Sequence, residues 1–101
     1  MRISDIDLEP EDLAIVLKIL QDLVPEHEVW IFGSRVTHKA KPFSDLDLAI
    51  ITQEPLPLTT LGRLQEAFSE SILPIKVDII DWSRTDEDFK KIIAKNYIKL
   101  K

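Results

Sequence analysis

The chain contains no cysteine, which excludes disulfides, thiol catalysis and cysteine-ligated zinc. Glycine is almost as scarce: Gly33 and Gly62 are the only two. No apolar run approaches a membrane span, since the longest uninterrupted stretch, residues 13–17, is far too short. The opening Met1-Arg2-Ile3-Ser4-Asp5 lacks the apolar centre of a cleaved secretion signal, so a cytoplasmic location without membrane attachment is expected. Basic residues are also in deficit, 13 Lys and Arg against 18 Asp and Glu, for a net charge of −5. That balance argues against a general nucleic-acid binder, whose affinity needs a basic surface. A length of 101 residues suits one core and one domain, residues 1–101.

What is present is a regular alternation of helical and extended patterns. Pro10-Glu11-Asp12 suits the first turn of a helix, because proline fits there and carboxylates favour its positive end. Leu13, Val16, Leu17, Leu20, Leu23 and Val24 then recur at helical spacing until Pro25. Residues 28–32 read as a strand, followed by a short segment of helical character over 34–40. Pro42-Phe43-Ser44 makes a turn into a second strand over 45–51. Leu58, Leu61, Leu64 and Phe68 carry a second helical stripe that tolerates Gly62, and residues 76–81 form a third strand. Thr85 with Asp88 resembles a capping box opening a last helix over 86–97, its stripe formed by Phe89, Ile92, Ile93 and Tyr97. Tyr97 with Ile98 and Leu100 also reads as a partner-facing tail.

This order predicts an α/β (α+β) fold with a small mixed sheet of three or more strands flanked by helices. The crossover through the second helix favours a parallel pair of second and third strands. The shorter connection after residue 32 allows the first two strands to run antiparallel. The end of the first strand and the starts of the other two then lie at one edge.

The residues gathered there are the informative part of the chain. Gly33-Ser34 ends the first strand, and after ten intervening residues Asp45-Leu46-Asp47 opens the second. Side chains alternate along a strand, so Asp45 and Asp47 share a face. In the third strand Asp78 shares its face with Lys76 and Ile80, whereas Asp81 falls on the opposite face or beyond the strand. Three converging carboxylates repel unless cations neutralise them. Two Mg²⁺ ions held by Asp45 and Asp47 would do so while binding a triphosphate, with Asp78 reaching the metal nearest the acceptor and orienting or deprotonating its hydroxyl. Ser34, after a glycine, offers a hydroxyl and backbone amides to the β- and γ-phosphates. Arg35 is placed either to assist there or to cover the sheet edge. Each piece alone is common: a Gly-Ser pair or a single Asp-x-Asp recurs by chance, and Asp78 has a bland reading as the partner of Lys76. The whole arrangement is specific.

These segments, Val29–Arg35, Ser44–Leu48 and Val77–Ile79, resemble the DNA polymerase β-like nucleotidyltransferases. More closely they resemble the stand-alone minimal nucleotidyltransferases (MNT) of bacteria and archaea, over nearly the whole chain. The resemblance implies Mg²⁺-dependent transfer from ATP or another nucleoside triphosphate. It implies Asp45, Asp47 and Asp78 as catalytic and metal residues and Gly33, Ser34 and Arg35 beside the nucleotide. It also implies a HEPN-domain partner encoded nearby, in a hetero-oligomeric toxin–antitoxin pair. There the MNT protein, as antitoxin, moves AMP to a tyrosine of the HEPN ribonuclease. Larger relatives carry an acceptor-binding domain after the catalytic core, and residues 82–101 leave little room for one, so the acceptor site is expected on another chain. Two alternatives stand beside this reading. One is a binding antitoxin that occludes its partner without catalysis; the other is a small-molecule nucleotidyltransferase of the aminoglycoside type, completed by a partner subunit.

Overall fold

The computed structural model describes residues 5–101. Its elements in chain order are α1 (Pro10–Leu23), β1 (Glu28–Phe32), β2 (Leu46–Ile51), α2 (Leu58–Glu70), β3 (Val77–Asp81), α3 (Glu87–Lys95) and β4 (Tyr97–Lys99). The sheet order is β3-β2-β1-β4, with β1 antiparallel to both β2 and β4 and β2 parallel to β3. The expected antiparallel first pair and parallel crossover are therefore present.

Period-two alternation assigns the strand side chains to two faces. On one face Val29, Ile31, Leu46, Leu48, Ile50 and Ile98 are buried and pack with Val16 and Leu20 of α1 and Leu64 and Phe68 of α2. Each such side chain contributes about 1.5–3 kcal/mol through removal from water. This is the main core. On the opposite face Phe32 and Ala49 pack with Ile93, the one fully enclosed side chain of α3. Trp30 stacks on Tyr97 with ring centroids 3.9 Å apart and meets the edge of Trp82 at 5.0 Å. One short helix covers only part of this second face. The remainder is where the aspartates stand.

The last element departs from expectation. The helix does not run through Tyr97 but stops at Lys95, and Tyr97–Lys99 joins the sheet beside β1. The physical reason is a change of period: Ile98 and Leu100 enter the main core while Tyr97 packs on the opposite face, and no helical stripe can do both. The Leu100 N–H donates to Val29 O at 2.8 Å, which extends the pairing. The expected tail is thus an edge strand.

Two local expectations change as well. The N-cap of α3 is Asp86, whose Oδ1 accepts the Phe89 N–H at 2.9 Å, while the Thr85 hydroxyl donates to Asp81 O at 2.9 Å instead. The helical segment expected over 34–40 shrinks to one 3-10 turn, Gly33–Arg35. No helix among the described residues is long and apolar enough to cross a membrane.

Candidate active site

Cross-strand register sets the site. Phe32 of β1 pairs with Asp47 of β2, and Asp47 pairs with Asp78 of β3, so the three side chains form one row on the incompletely covered face. Gly33, which follows Phe32, adopts φ +84°, a conformation that L side chains rarely take. A Cβ built on Gly33 would collide with the Asp47 carboxylate. Glycine is therefore required by its backbone angle, and any side chain there would displace the Asp47 carboxylate. Phe32, Gly33, Asp47 and Asp78 line a cleft of about 1040 Å³.

Asp47 is electrostatically uncompensated. Its carboxyl is pushed up to about 6 by partial burial first, then by the negative charges of Asp78 and Asp45; among the described residues no hydrogen bond or cation acts in the other direction. Asp45 lies just before β2 and is exposed. Asp78 is half exposed and pairs with Lys76, Nζ to Oδ1 3.4 Å, so the bland partnership exists alongside the carboxylate row. A pair this exposed is worth under about 1 kcal/mol, which leaves both groups free to change partners.

Ser34 occupies the middle of the 3-10 turn, and among the described residues its hydroxyl has no hydrogen-bond partner. One turn of 3-10 helix carries little dipole, so any anion held there relies on the hydroxyl and on individual amides. Arg35 goes elsewhere. Its guanidinium is buried and donates to Asp7 O at 2.7 Å and to Ser44 O at 2.8 and 3.2 Å. It does not line the cleft; it fastens the loop that delivers Asp45. The sequence reading left it open between two other roles, because its carbonyl partners come from remote loops.

Asp81 belongs to a different environment. Its carboxylate accepts hydrogen bonds from the Thr52 hydroxyl, the Leu56 N–H at 2.7 Å and the Ser83 N–H and hydroxyl at 3.1 and 2.8 Å. Burial alone would raise its pKa, but these donors together hold it below the usual carboxylate value. Asp78, not Asp81, stands beside Asp47, as the strand phase predicts. Sequence reasoning missed the cleft's other polar residues. Lys76 is the one cation lining it among the described residues, and Thr37, Gln65 and Asn96 also line it. Lys76 was legible as an alternating neighbour of Asp78; Gln65 and Asn96 gave no signal.

The donor set fits a divalent cation of the hard, oxygen-seeking kind. Among the described residues no group of three or more His, Cys, Asp or Glu side chains is placed to hold a metal ion, so Asp45, Asp47 and Asp78 do not form one ready ligand cluster as the sequence suggests. Mg²⁺ needs only one or two carboxylates and completes its shell with water and substrate phosphate. A cation beside Asp47 would also reverse the repulsion that raises its pKa.

The family model described as polymerase beta, nucleotidyltransferase, matches residues 15–101. A protein of Haemophilus influenzae named "Probable protein adenylyltransferase MntA" is 58% identical over 95 residues, covering 94% of this chain and 83% of that protein. Among solved structures, a toxin–antitoxin complex with AMP-PNP matches at a TM-score of 0.74 and 20% identity, covering 88% of this chain and 72% of that one. A tri-AMPylated Shewanella oneidensis HEPN toxin in complex with MNT antitoxin matches at a TM-score of 0.69 and 18% identity, covering 93% and 72%. At those identities the two structures establish a shared fold.

Proposed function

Because this chain belongs to the polymerase β nucleotidyltransferase family, we propose that it moves AMP from ATP to a hydroxyl of a HEPN-domain protein, a tyrosine, and so acts as the antitoxin of the pair. The observation that carries the reading is the row formed by Gly33, Asp47 and Asp78. A glycine cleared of side chain lies against a carboxylate that no described residue neutralises. The 58% identical relative named as an adenylyltransferase supports the reaction type, and the HEPN–MNT complex among the fold neighbours supports the acceptor.

Nucleotidyltransferases of this kind generally use a divalent metal. Here Asp45 and Asp47 would hold it, with Asp78 joining on the acceptor side if two Mg²⁺ ions bind. When bound, the metal neutralises triphosphate charge and polarises the α-phosphate. Gly33 lets the triphosphate approach the backbone closely, and the Ser34 hydroxyl donates to a phosphate oxygen. Lys76, paired with Asp78, stands on the acceptor side of the site. The acceptor hydroxyl oxygen forms a bond to the α-phosphorus, and the bond from that phosphorus to the bridging oxygen breaks. Pyrophosphate leaves with that electron pair, and the hydroxyl proton passes to Asp78. Arg35 contributes by holding Ser44, and through it Asp45, in place.

The test is the intact mass of the HEPN protein encoded nearby, after incubation with substoichiometric amounts of this protein, Mg²⁺ and each of the four triphosphates. The expected result is an AMP adduct on many partner molecules per antitoxin molecule, with ATP and Mg²⁺ both required. Neutralisation without nucleotide, ending sharply at equimolarity and equal for wild type and Asp47→Asn, would make the protein a binding antitoxin instead.

A further inference from the structure

Strand β3 is an unprotected edge. Among the described residues it pairs only with β2. The Leu46 N–H donates to Lys76 O at 2.9 Å, and in a parallel ladder that phase turns the backbone of Lys76, Asp78 and Ile80 toward β2. The N–H and C=O groups of Val77 and Ile79 therefore point away from the sheet. Such edges are usually covered or blunted, because they are templates for another strand.

The cleft runs along this edge. Residues 75–80 all line it, although successive strand side chains face opposite sides of the sheet. Consecutive residues can share one cleft only where it flanks the strand's own edge. Gln65 and Phe68 of α2 form its wall on the main-core side, and Phe89 and Ile92 of α3 form the wall on the other. Phe89 is 37% and Ile92 62% exposed, so the second wall is apolar and uncovered. The result is a slot with hydrogen-bonding backbone as its floor and the candidate carboxylates at one end.

We propose that the acceptor enters this slot as an extended segment and adds to β3 as a fifth strand. The proposal rests on the nucleotidyl-transfer reading above and deepens it by stating how the acceptor polypeptide is held. Main-chain pairing would provide affinity, and side chains facing the two walls would provide selectivity. The residue in register with Asp78 would project on Asp78's face, with its Cβ about 5 Å from that of Asp78. Strand addition therefore delivers one side chain of the segment to the group proposed to take its proton. A second copy of this chain suits the edge poorly. Pairing β3 with β3 would bring two Asp47–Asp78 rows together, on molecules that each carry a net charge of −5.

The experiment is residue-resolved amide exchange of the wild-type protein, alone and with the HEPN partner, in Mg²⁺ and α,β-methylene-ATP, which cannot transfer AMP. The Val77 and Ile79 amides should exchange at least about tenfold more slowly when the partner is bound, with β4 at the opposite edge unchanged. Val77→Pro removes one outward donor at the first position of the strand, where proline is tolerated. It should raise the KM for the HEPN protein at least about tenfold and leave Mg·ATP affinity within about twofold. A complex in which Val77 and Ile79 stay unprotected overturns the proposal, as does the absence of any complex. Protection that grows with this protein's own concentration, without partner, assigns the slot to a second copy and overturns it too. Protection by the partner without AMP transfer in ordinary ATP upholds the docking mode and refutes the transfer reading instead.

Discussion

Strand β3 carries an aspartate near each end, and the two could hardly differ more. Asp81 is enclosed and receives hydrogen bonds from Thr52, Leu56 and Ser83. Asp78, three residues earlier, shares its row with Asp47, whose charge is opposed by burial and by two neighbouring carboxylates. A carboxylate that the fold satisfies is part of the fold. A carboxylate that the fold holds in repulsion costs stability and is explained by something that arrives later. The pH signatures are opposite as well. The Asp81 contribution is present above the ordinary carboxylate range and is lost as pH falls. The Asp47 contribution is present at acid pH and is lost as pH rises through about 6.

Substitution at each end separates the two roles. Asp47→Asn should reduce AMP transfer by about 10⁴-fold or more, since several kcal/mol of charge stabilisation would depend on the metal it is proposed to hold. Circular dichroism should show the fold intact. Asp78→Asn should cut kcat by about 10²–10⁴-fold, the usual worth of a positioned base, while calorimetry finds Mg·ATP binding retained. If Asp81→Asn gave that kinetic loss in a stable protein, the contrast between the two ends would collapse.

The expected loss for Asp81→Asn is in stability, about 2–4 kcal/mol by urea unfolding, because buried donors lose a charged acceptor. Its folded fraction should keep normal specific activity. Ser34→Ala should cost about 1.5–3 kcal/mol of triphosphate binding, read as a raised KM for ATP with kcat little changed. The smallest effect is thermodynamic. Without metal, the stability difference between wild type and Asp47→Asn should move by about 1 kcal/mol in the variant's favour between pH 4 and pH 7, after allowance for the half-exposed carboxyl. Thermal melts across that range would measure it.

The carboxylate row was legible in the sequence because it depends only on period-two alternation within three strands and on one glycine turn. Alternation also separated Asp78 from Asp81 correctly. Other features depended on partners distant in the chain. The reach of Arg35 to Asp7, 28 residues away, has no local signal. The β4 strand is three residues long and directly follows an amphipathic helix, so its apolar residues extend the helical stripe on paper. Only the position of β1's free edge reveals that they switch to period two. The edge character of β3 likewise required the strand order, which neither spacing nor composition encodes.

The most direct test of the uncompensated Asp47 is a ¹³C titration of its side-chain carboxyl by NMR, with and without Mg²⁺ and a non-hydrolysable ATP analogue. The account predicts a midpoint near 6 in the protein alone, and a midpoint displaced well below the ordinary aspartate value of about 4 when metal and nucleotide are bound. A midpoint at the ordinary value in the free protein, unmoved by Mg²⁺ and nucleotide, would contradict it.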